Sequence, residues 1–85
     1  MAAPPVPHPA PLVRVRGRYA VLVAWVGTPR RGLRARITWV EREAGAPARW
    51  RWETAEVDAA EVEPLRGQLY RYVPREDRQD PGSVT

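Results

Sequence analysis

The chain contains no cysteine, lysine, asparagine or phenylalanine, and only one histidine, His8, and one serine, Ser83. Without cysteine, neither disulfides nor thiolate metal ligation can supplement a hydrophobic core. A lone histidine between prolines and a lone serine near the C-terminal end cannot be combined into a Ser/His/Asp or Cys/His arrangement. Phosphate loops are missing too, since Gly27 and Gly32 bracket Thr28-Pro29-Arg30-Arg31 and match neither the P-loop nor the dinucleotide fingerprint. Metal binding would fall to Asp58, Glu61 and Glu63, which read more simply as a helix cap and solvated charges. The longest apolar run, Tyr19 to Val26, spans eight residues, against about 20 for a bilayer-crossing helix. No basic side chain precedes a hydrophobic stretch at the start, so no signal peptide is visible. The expectation is a non-enzymatic cytoplasmic protein with no cofactor and no membrane partner.

What is abundant is arginine, proline and tryptophan. All fourteen basic side chains are arginine, a pattern that GC-rich codons also produce. Ten of them lie between Leu12 and Trp52 against Glu41 and Glu43, a balance of +8, while Glu53 to Thr85 carries four arginines and eight carboxylates, a balance of −4. Such asymmetry favours polyanion binding, head-to-tail association or internal neutralisation.

Prolines at 4, 5, 7, 9 and 11 predict a disordered, polyproline-like leader over residues 1–11. Leu12 to Arg16 alternates apolar and charged residues, as a half-buried strand does, and Gly17 permits a turn. Tyr19 to Val26 is apolar throughout; its valines and flanking glycines favour a central strand, or one that bends so that each half serves a different surface. Leu33 to Arg42 is the clearest strand, with Leu33, Ala35, Ile37 and Trp39 on one face and Arg34, Arg36 and Thr38 on the other. A short connection follows, then Arg49 to Thr54, with Trp50 and Trp52 opposite Arg49 and Arg51. Asp58 to Glu61 carries a capping-box pattern that Pro64 limits to one helical turn within 58–63. Leu69 to Val73 alternates again, and residues 75–85 read as a disordered polar tail.

These elements predict an all-β domain over residues 12–74. Their order resembles an SH3-like small barrel over about residues 12 to 73, without any specific motif. The alternative is a curled antiparallel sheet that dimerises to complete its core. Trp39 and the Trp50/Trp52 pair are expected in the core, or the pair is exposed beside Tyr70 and Tyr72.

If the two strands ending near Arg42 and starting at Arg49 pair as a hairpin, Arg34, Arg36, Arg49 and Arg51 are expected on one side, with Arg30 and Arg31 extending the track. Guanidinium forks to phosphate and stacks on bases, so the first functional expectation is a module contacting the DNA or RNA backbone through these six arginines. The second is a protein-interaction adaptor or homodimeric subunit using Tyr19 to Val26 or the aromatic cluster.

Overall fold

The computed structural model describes residues 9–45, 47 and 49–79. Alternation becomes strand where it was expected: β1 Leu12–Val15, β2 Arg18–Thr28, β3 Gly32–Glu43 and β4 Arg49–Asp58 follow one another. Arg16 and Gly17 both take positive φ, 52° and 78°. That is the geometry of a tight two-residue hairpin, whose backbone twist matches the twist of the strands it joins. At the next turn the Thr28 hydroxyl accepts from the Arg31 amide and donates to the Gly32 carbonyl.

A single 3₁₀ turn, Ala59–Glu61, follows β4. Its capping box is complete: the Asp58 carboxylate accepts from the Ala60 amide at 2.9 Å, and Glu61 reaches back to the Asp58 amide. This turn delivers the chain to β5, Val62–Pro64, which pairs with β1. The strand order is β4-β3-β2-β1-β5, antiparallel throughout, and β6, Arg75–Asp77, lies parallel to the second half of β2. The architecture is all-β, as expected, but the six strands do not close, so the expected small five-stranded SH3-like barrel is corrected to an open sheet.

Two further expectations are corrected. Leu69 to Val73 forms no strand; this stretch is a loop pinned by Tyr70, whose hydroxyl donates to the Leu12 carbonyl and accepts from the Leu65 amide. Conversely, β6 arises within the stretch expected to be a disordered tail, because Pro74, Arg75 and their successors meet the part of β2 that short β1 leaves uncovered. The Pro74 carbonyl accepts from the Trp25 amide and the Arg78 amide donates to Gly27. At the other end, Pro11 is buried and its carbonyl accepts from Leu22. Residues 1–8 of the leader and 80–85 of the tail, with His8 and Ser83, lie outside the described residues.

The core has Val13, Val15, Ala20, Leu22, Ala35 and Ile37 at its centre, with Trp25, Trp39, Val57 and Val62 packed around them. Strand β2 reaches both faces through a bulge. Leu22 pairs with Ile37, but Ala24 pairs with Arg36, leaving Val23 as the extra residue. An extra residue inverts the alternation, so Trp25 joins Leu22 on the core face while Ala24 and Val26 turn to the other. Both are fully buried there, in register with Arg36 and Arg34. Val21 sits on that second face, and Leu33 and Leu69 are exposed.

Candidate interaction surface

Which side chains share a face of the β3–β4 hairpin follows from its register. Arg34 pairs with Asp58, Arg36 with Glu56, Thr38 with Thr54, Val40 with Trp52 and Arg42 with Trp50. The other face carries Ala35 with Val57, Ile37 with Ala55, Trp39 with Glu53, Glu41 with Arg51 and Glu43 with Arg49. Arg34 and Arg36 therefore lie on one face, and Arg49 and Arg51 on the other. The expected four-arginine face is corrected. Both strands alternate as read, but five residues separate Glu43 from Arg49, and an odd-length connection places even-numbered residues against even-numbered ones.

The arginines are also met by carboxylates. Arg36 contacts Glu76 at 2.8 Å and Glu56 at 3.6 Å, Arg78 pairs with Glu56 as well, and Arg34 donates to the Glu56 carbonyl. The hydrogen bond from Arg78, reinforced by the charge of Arg36, holds the Glu56 carboxyl below the usual glutamate range despite partial desolvation. Arg36 does the same to Glu76, chiefly through its hydrogen bond. On the other face Arg51 meets Glu53 at 2.5 Å and Glu43 at 3.8 Å. Arg14 pairs with Glu63 and Arg16 with Glu61, so two carboxylates of the supposed metal set are ion-pair partners. Arg30 and Arg31 occupy the exposed β2–β3 turn, and Arg49 is exposed at the start of β4. The six arginines form no single track.

The tryptophans divide instead. Trp25 and Trp39 pack against the core, Trp39 donating its indole N–H to Glu41 at 2.9 Å. Trp50 and Trp52, expected inside, are 66% and 67% exposed. The reason is again register: they pair with Arg42 and Val40, on the face away from Ala35 and Ile37. The β2–β3 ladder ends at Val21 and Thr38, so Trp39–Glu43 and Arg49–Glu53 continue as a two-stranded ribbon with no ladder to β2, although Arg18 still reaches Glu41 at 3.9 Å.

The neighbours of the exposed pair are not Tyr70 and Tyr72. Tyr70 is pinned beneath the loop and Tyr72 lies under the Arg71 guanidinium, 5.7 Å from its ring centre. Trp52 instead shares a shallow open groove with Leu12, Tyr19, Val21 and Val40. Tyr19 is 64% exposed, and Leu12 and Val40 are about two-fifths exposed. These apolar side chains are contiguous along the groove rather than scattered singly. The sequence held one signal for it, Val40, an apolar residue on the otherwise polar face of β3.

Among the described residues, no three metal-ligating side chains cluster, and no helix is long and apolar enough to cross a membrane. Comparison with protein-family models, curated proteins and solved structures finds no match to this chain.

Proposed function

We propose that this chain is a non-enzymatic protein-interaction module that docks through the Trp50/Trp52 face of its β-ribbon. The observation that carries this reading is the pair of exposed indoles on one face, of which Trp52 lines a groove with Val40, Tyr19 and Leu12. Aromatic side chains supply large contact area at low entropic cost and are enriched in interface hot spots. Ion pairing supports the same choice over a nucleic-acid backbone contact, because Arg36 and Arg51, central to that alternative, each have two carboxylates within reach.

A photo-crosslinking residue at Val40, which leaves both indoles in place, tests the proposal in living cells against the same residue at Arg31. Discrete protein adducts from position 40, resistant to nuclease and abolished by Trp50→Ser with Trp52→Ser, are the expected outcome. Nuclease-sensitive adducts would favour the DNA or RNA reading. Equal adducts from both positions, or none from position 40, would overturn the proposal.

A further inference from the structure

Strand β4 ends the strand order, so one of its edges has no partner strand among the described residues. Unpaired edges are templates for strand addition, and soluble proteins commonly blunt them with proline, bulges or short length. The edge formed by β5 is short and ends at Pro64. By contrast, β4 runs ten residues, Arg49–Asp58, with neither proline nor glycine.

The strand is also complementary to itself. Along it the basic residues Arg49 and Arg51 come first, and the acidic residues Glu53, Glu56 and Asp58 follow. Antiparallel pairing with a second β4 therefore sets the basic end of one strand against the acidic residues of the other, which in-register parallel pairing does not. Side-chain pairing sets the register: beyond the Glu53 carbonyl, which accepts from the Thr38 hydroxyl at 2.7 Å, the Glu56 carbonyl also already accepts a side-chain hydrogen bond, from the Arg34 guanidinium at 3.2 Å. A two-fold ladder centred on Trp52 runs from Arg49 to Ala55 and stops just short of that carbonyl. In it Trp52 pairs with Trp52 of the second copy, Trp50 with Thr54, and Arg51 with Glu53 at two symmetric places, so that the Arg51–Glu53 contact at 2.5 Å within each chain joins its counterpart in one four-charge cluster of alternating sign. Directly opposed aromatic and opposite-charge pairs each stabilise a sheet.

We infer that two copies of this chain join edge to edge through β4, antiparallel about Trp52, making one continuous sheet with a shared row of indoles. The inference rests on the interaction-module reading and names its partner as a second copy.

Charge swapping tests it. Arg51→Glu sets two carboxylates against each other at both symmetric places, and Glu53→Arg sets two guanidinium groups against each other there. Light scattering over a concentration series should show each variant alone self-associating about tenfold more weakly than the parent. Mixing the two variants should restore association, because the two acidic positions of one chain then face the two basic positions of the other. The chain has no cysteine, so a mixture of Trp50→Cys and Thr54→Cys chains should give a disulfide-linked heterodimer in preference to either homodimer. This readout does not depend on the charge variants folding well. A parent chain that stays monomeric throughout, a mixture that fails to reassociate, or dimers that never form the disulfide between positions 50 and 54 would sink the inference. Foreign adducts at position 40 from a monomeric chain would sink it while leaving the interaction module standing.

Discussion

Glu56 is the residue on which the second face of the sheet is neutralised, since Arg36, Arg78 and the Arg34 side chain all converge on it. Its folded-state pKa and that of Glu76 are depressed. Their stabilising contribution is therefore complete above the ordinary glutamate pKa, about 4.3, and is lost as pH falls through the depressed folded values. The raised pKa of Arg36 acts only in strong alkali. Thermal melts should decline on acidification from about pH 5 to pH 3, and Glu56→Gln with Glu76→Gln should flatten that decline. An unaltered slope would count against the network. Trp50→Ser with Trp52→Ser, in contrast, should shift stability by no more than about 0.5 kcal/mol per site, as exposed substitutions do, while Leu22→Ala should cost about 2–5 kcal/mol. Chemical denaturation distinguishes the two. Alternation in β1 and β3 made the core residues Val13, Val15 and Ile37 legible. Trp50 and Trp52 were not, because a residue's face depends on the parity of a connection as well as on its own strand.

Among the elements, β6 is where sequence pattern was least informative. Arg75, Glu76 and Asp77 are all charged and exposed, so no apolar period marks them. Their strand is specified by the uncovered edge of β2 and by Gly27, where an added Cβ would come within 2.5 Å of the Asp77 carboxylate and 3.3 Å of the Arg75 guanidinium. Ending the chain after Pro74 should cost on the order of 2 kcal/mol, from the lost ladder and cross-face ion pairs, and lower the melting temperature by roughly 8–16 °C. Gly27→Val should destabilise the full chain but cost little in the shortened one, since the valine then has nothing to displace. Equal effects in both backgrounds, measured as a double-mutant cycle, would show that β6 does not depend on this close approach. The 3₁₀ turn lies at the opposite extreme: its Asp58/Glu61 box was readable because capping is local. The apolar run of β2 was readable as a central strand or one whose halves serve different surfaces, but the position of its bulge at Val23 was not, since a continuous apolar run carries no phase to break.

For the molecule as a whole, the formal +4 charge overstates the positive field available to a polyanion. Carboxylates from the acidic second half of the chain are folded back onto the arginines of the first: Glu53 onto Arg51, Glu56 and Glu76 onto Arg36, Glu61 onto Arg16 and Glu63 onto Arg14. Asymmetry along the sequence becomes mixture in space. Duplex DNA should consequently bind with a log-log salt slope no steeper than about −2, the value for two phosphate contacts, whereas a five-phosphate track would give about −4 to −5. Fluorescence anisotropy across a salt series measures this, and a slope near −5 would restore the arginine-track alternative.

The parallel pairing of β2 with β6 joins Trp25 to Arg75, roughly fifty positions apart. Contacts of such long sequence separation form late, because the intervening chain must first be ordered. During synthesis, which proceeds at about 5–20 residues per second, the β2–β3 hairpin leaves the ribosome seconds before its last neighbour exists. Until then half of one edge of β2 stays open, with Trp25 beside it, and a stalled or truncated nascent chain presents that edge to whatever chaperone or protease meets it first.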